Sequence, residues 1–60
     1  MHENGPYWVA RDKAGKMAAY VVYKAGITHS VSDSAYEQTE DGLSIAIARC
    51  DYLATLDHAS

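Results

Sequence analysis

Cys50 and the histidines His2, His29 and His58 are the residues with which this chain could do nucleophilic or metal chemistry. A cysteine nucleophile needs a base and an orienting group. Cys50 with His29 or His58 is the Cys/His combination to weigh. Cys50, however, lies on a helix face that its spacing directs into the core, where a cysteine behaves as a small hydrophobe rather than a thiolate. Zinc ligands usually come in closely spaced pairs, and His2, His29, Cys50 and His58 show no such pairing. His29 is expected in a strand and His58 in an exposed tail. Glu40 and Asp41 are neighbouring carboxylates, but adjacent helical positions point in different directions. Their place suits the positive end of a helix better than acid–base work. Gly5, Gly15, Gly26 and Gly42 are isolated and form no phosphate loop. The sequence therefore predicts no catalytic residue, no metal and no cofactor.

The elements that would carry these residues follow from patterning. Tyr7-Trp8-Val9-Ala10-Arg11 and Met17-Ala18-Ala19-Tyr20-Val21-Val22-Tyr23 are rich in strand formers and flank a short loop at Ala14-Gly15-Lys16, the usual hairpin signal. Ala25-Gly26 marks a second turn. Ile27-Thr28-His29-Ser30-Val31-Ser32 reads as a third strand, with Ile27 and Val31 alternating. Residues 1–6 read as a loose lead-in, punctuated by Gly5-Pro6. Residues 33–38 fit a turn, a short helix or a continuation of the strand to Tyr36. Thr39 is a cap candidate followed by acids, and a helix is expected over about residues 40–56.

Along that helix Leu43, Ala46, Ile47, Cys50, Leu53 and Ala54 recur at helical spacing and form one apolar face. Ile45, Tyr52 and Leu56 form a second stripe, broken only by Arg49. A helix lying on one small sheet needs a single apolar face, so this stripe is a candidate dimer or docking surface. The second strand has a similar surplus. Met17, Ala19, Val21 and Tyr23 point one way, Ala18, Tyr20 and Val22 the other, and one helix covers only one of these faces. The predicted fold is α+β: one domain over residues 1–60, with about three antiparallel strands in 7–32 packed against one C-terminal helix.

Composition bounds the function. The chain of 60 residues is 48% apolar and 22% charged, a folded rather than a disordered profile. A domain this small buries only about 60% of its unfolded surface, and a single cysteine allows no internal disulfide. No apolar run approaches the ~20 residues of a membrane span, and the first residues lack the pattern of a signal peptide. A cytoplasmic protein is expected. Residues 1–30 carry Arg11, Lys13, Lys16 and Lys24 against Glu3 and Asp12. Residues 31–60 carry Arg49 against Asp33, Glu37, Glu40, Asp41, Asp51 and Asp57, so halves of +2 and −5 make up the net −3. Such a chain is steered towards basic surfaces and is a poor ligand for phosphate backbones. Tyr7, Trp8, Tyr20 and Tyr23 near the basic residues could stack on single strands, but the net charge argues against direct nucleic-acid binding.

Tyr20-Val21-Val22-Tyr23 and the run from Asp41-Gly42-Leu43 through Arg49-Cys50-Asp51-Tyr52-Leu53-Ala54 make the chain resemble short proteins of bacteriophages and mobile elements. In size, acidity and sheet-plus-helix make-up it is similar to the anti-CRISPR proteins. The resemblance implies a stoichiometric inhibitor of an RNA-guided nuclease complex that presents acidic surface where nucleic acid would otherwise bind. Three functions are therefore expected in order. The first is a non-enzymatic protein-binding inhibitor or regulator of a larger protein with a basic surface, a CRISPR-Cas effector being the sharpest form. The second is a small homodimer, and the third a nucleic-acid-binding sheet module. For the first, Asp33, Tyr36, Glu37, Glu40 and Asp41 are the expected contact residues. The four carboxylates among them fall within nine residues that hold no Lys or Arg.

Overall fold

A computed structural model describes residues 1–59 of the chain. Four strands, β1 (His2–Asn4), β2 (Tyr7–Ala14), β3 (Met17–Lys24) and β4 (Val31–Glu37), precede one helix, α1 (Glu40–Ala59). The strands form an antiparallel meander in the order β1-β2-β3-β4. The helix packs across one face of this sheet. The expected α+β architecture is present with one strand more than predicted.

The extra strand corrects the reading of residues 1–6 as a lead-in. Gly5-Pro6 is a two-residue hairpin turn joining Asn4 to its partner Tyr7. Gly5 sits at φ 58°, and no non-glycine residue among the described residues has positive φ. A glycine at positive φ followed by an ordinary residue is the II′ pattern that fits strand twist. Proline, with φ fixed near −65°, suits the second position. The β2–β3 turn at Gly15-Lys16 is built the same way.

The third predicted strand is displaced. Residues 27–30 are loop, with Ile27 fully exposed, and pairing starts only at Val31 and continues to Glu37. His29 is therefore an exposed loop residue rather than a strand residue, and His58 lies in the last turn of α1. Alternation of Ile27 and Val31 resembled a strand pattern, but the strand that binds β3 is the more polar run Val31–Glu37. Its partner supplies the apolar surface. The register skips Asp33 between the pairs Val22–Ser34 and Tyr23–Ser32, a β-bulge. Bulges re-aim side chains, and this one turns Asp33 towards the helix.

Register places Tyr7, Val9, Tyr20, Val22, Ser34 and Tyr36 on the face under α1. Tyr7, Val9, Tyr20 and Val22 are buried against Ala46, Cys50 and Ala54, and Tyr36, Leu43, Ile47 and Leu53 close the rim. Small helix residues sit at the centre and large ones at the edge, so α1 lies close to the sheet. Thr39 is the N-cap: its Oγ1 accepts the Gly42 N–H at 3.0 Å, as a cap residue should. The opposite face carries Trp8 stacked on Tyr23 with ring centroids 5.6 Å apart, and buries Ala19 and Val21 without a second layer.

Candidate functional site

The two flanks of α1 differ in chemistry. One flank faces β4. Here Tyr36, Glu37, Asp41 and Ile45, with Thr39 and Gly42, line a shallow cleft between the end of β4 and the first turns of the helix. Further along, Arg49 donates to Asp33 through Nε at 3.0 Å and Nη2 at 3.3 Å. Its guanidinium also lies over the Tyr52 ring, 5.7 Å from the centroid. Ile45, Tyr52 and Leu56 are half-exposed, as the second stripe requires.

The predicted contact residues thus divide. Tyr36 lies partly under the helix, packed against the core. Asp33 is bound by Arg49, a pairing that the bulge makes possible and that strand alternation could not disclose. Glu37, Glu40 and Asp41 are exposed and have no ion-pair partner among the described residues. Of the other carboxylates, Asp12 accepts from the Tyr23 hydroxyl, Asp51 from His2 and Asn4, and Asp57 meets Lys24 at 3.8 Å, while Glu3 stands alone among the described residues, on β1 and away from this cluster. Uncompensated acidic charge therefore gathers where β4 meets α1, beside exposed Ile45. The helix dipole offsets part of the charge of Glu40 and Asp41, leaving Glu37 the most available of the three.

Two engaged carboxylates give an acid-pH prediction. Hydrogen bonding from Arg49 holds the Asp33 carboxyl below the ordinary carboxylate range, and the Tyr23 hydroxyl does the same for Asp12. The unfolded chain binds these protons more readily, so the stability they contribute is present above the unfolded value near 3.9 and lost as pH falls through the folded values. The urea midpoint should therefore drop below about pH 4, and Asp33→Asn should flatten the drop. An unchanged slope in the variant would show that the Arg49 pair contributes nothing to folding.

The other flank of α1 faces β1 and holds a constellation that sequence spacing did not disclose. His2 Nε2 lies 2.7 Å from Asp51 Oδ1, with the ring N–H donating, and Asn4 Nδ2 donates to the same oxygen at 2.9 Å. These two bonds, Asn4 first, hold the Asp51 carboxyl below its usual range. Cys50, fully buried, stands beside them, and burial pushes its thiol up. The ligand atoms of His2, Cys50 and Asp51 all fall within 4.8 Å of one another. Cys50-Asp51 is the one sequence clue. The third residue arrives from the other end of the chain through a strand that the sequence did not reveal.

No family model, no curated protein and no solved structure matches this chain. No helix among the described residues is long and apolar enough to cross a membrane.

Proposed function

We propose that the domain is a non-enzymatic protein-binding module that docks a larger protein with a basic surface through the flank where β4 meets α1. The observation that carries this reading is the gathering of Glu37, Glu40 and Asp41, all without ion-pair partners among the described residues, beside half-exposed Ile45 and the Tyr52–Leu56 stripe. An apolar patch rimmed by charge of one sign is suited to a partner with the complementary field. The rim speeds and orients encounter, and the apolar centre holds the complex. A symmetric dimer through the same flank would set the three carboxylates against their own copies, a cost that a basic partner removes. The open face suits nucleic acid poorly, because Asp12 is bonded to the tyrosine of the Trp8–Tyr23 stack and puts a carboxylate where a phosphate backbone would run. The narrower form of the proposal, inhibition of an RNA-guided nuclease at its nucleic-acid channel, draws on the resemblance to anti-CRISPR proteins for its choice of partner.

Partner capture with matched variants tests this. Glu37→Lys with Glu40→Lys should slow association by about tenfold or more at low salt, with the difference shrinking as salt rises. Ile45→Ser should instead speed dissociation, while Lys16→Ala at the hairpin tip should change neither rate. Circular dichroism should show all variants folded. Association indifferent to both the charge reversal and Ile45→Ser would place the binding surface elsewhere. For the narrower form, cells whose RNA-guided nuclease clears a targeted plasmid should retain it when the protein is expressed. Clearance in every system tried would leave only the broader reading.

A further inference from the structure

We propose that His2, Cys50 and Asp51 bind a borderline transition-metal dication, zinc in the first place, with the fourth position left to solvent. The site lies on the opposite flank of α1 from the docking surface and does not rest on it. The imidazole nitrogen, the thiol sulfur and a carboxylate oxygen lie within 4.8 Å of one another. In a tetrahedral zinc shell, bond lengths of about 2.0–2.3 Å set donor–donor separations of about 3.3–3.6 Å. The His2–Asp51 pair, at 2.7 Å, must open by about 0.6–0.9 Å, and a pair at the 4.8 Å limit must close by about 1.2–1.5 Å. Rotation of the half-exposed His2 and Asp51 side chains, with Cys50 held by the core, can supply such shifts.

The donor set selects the ion. Calcium and magnesium take oxygen ligands, and a site with one sulfur, one nitrogen and one oxygen favours zinc and its neighbours. The surroundings have the form that such sites need. Asn4 Nδ2 holds Asp51 Oδ1 and leaves Oδ2 without a hydrogen bond among the described residues. An outer residue that orients a ligating carboxylate is a regular part of metal sites. Cys50 is closed off by the core, whereas the side chains of His2 and Asp51 are 31% and 47% exposed, so an ion enters from their side.

The position in the fold gives binding a consequence. β1 is three residues long, and its pair with Asp51 joins positions 49 apart in sequence. No disulfide is present among the described residues. Domains of this size commonly gain stability from a metal staple, and an ion that binds only the folded arrangement stabilises it by mass action.

Reduced, chelator-stripped protein is titrated with zinc by calorimetry and with cobalt by absorption. The expected result is one ion per chain, a thiolate-to-cobalt charge-transfer band and a Tm that rises with zinc concentration. Asn4→Ala should weaken zinc binding by about 10–100-fold, and His2→Ala by more. His29→Ala and His58→Ala should leave it unchanged. The cobalt band reads sulfur ligation directly, so no Cys50 variant, with its risk to the core, is needed. Absence of saturable uptake, uptake without the thiolate band, or affinity untouched by His2→Ala would each overturn the proposal and leave His2–Asp51 as a hydrogen-bonded tether of β1.

Discussion

Replacing Tyr20 by alanine should cost about 3–5 kcal/mol, the range for an aromatic side chain removed from a core. Tyr20 is 8% exposed, paired across the sheet with Arg11 on one side and Tyr36 on the other, and belongs to the core cluster with Ala46, Cys50 and Ala54 of α1. Small domains are stable by roughly 0.05–0.15 kcal/mol per residue, so this one loss rivals the whole stability of the chain. In urea, Tyr20→Ala should be partly unfolded before denaturant is added. Tyr52→Ala should behave differently. Tyr52 is 54% exposed and its ring meets only the Arg49 guanidinium among the ring contacts. Exposed cation–π contacts are worth about 0.5–1 kcal/mol, so the fold should survive while partner dissociation accelerates. Equal loss of stability in the two variants would mean that the burial pattern of the two tyrosines is wrong.

The contrast shows where the sequence is legible. Helical spacing placed Cys50, Ala46 and Ala54 in the core and left Ile45, Tyr52 and Leu56 outside, because the face of a long helix is written in its period. Leu53 lies on the same face, towards its edge, so Leu53→Ala should cost less than the range for a fully buried leucine. Strands were less legible. β1 is two polar residues and a histidine and carries no strand propensity of its own. It exists because Gly5-Pro6 turns the chain back on β2, a tertiary effect that overrides local preference. β4 was partly legible: Val31-Ser32 ended the expected third strand and continuation to Tyr36 was one of three readings of residues 33–38, and β3 recruits the whole run Val31–Glu37 as an edge. With β1 and the bulge hidden, neither the His2–Asp51–Cys50 grouping nor the Asp33–Arg49 pair could be read from spacing. The acidic character of residues 33–41 was legible, but its partition into one bound carboxylate and three free ones was not.

Gly42→Ala should destabilise the protein, against the usual sign. In an ordinary helix the change gains about 1 kcal/mol, because glycine pays more backbone entropy. Read from the sequence, Gly42 is simply a weak point in the first turn of α1. In the fold it is where the helix start meets the end of β4. A Cβ there would lie 1.8 Å from the Glu37 carbonyl oxygen and 2.8 Å from its carbon. Backbone cannot swing aside as a flexible side chain can, so the helix start must lift. Lifting it strains the Thr39 N–H to Glu37 O bond of 2.9 Å, the Leu43 N–H to Thr39 O bond of 2.9 Å and the cap from Thr39 Oγ1 to the Gly42 N–H. Overpacking of this kind costs about 1–3 kcal/mol, and loss of the cap adds about 1 kcal/mol. These outweigh the gain in helix propensity and leave a net loss of about 1–3 kcal/mol. At about 4–8 °C per kcal/mol for domains of this size, Tm should fall by about 5–20 °C. Thr39→Ala, which removes the cap and leaves the close approach intact, should give the smaller part of that drop. The junction is also the centre of the proposed docking flank, so a lifted helix start moves Glu40, Asp41 and Ile45 away from Glu37. Gly42→Ala should therefore weaken partner binding even at temperatures where it is fully folded. A variant that melts higher than the parent would show that α1 does not approach β4 this closely.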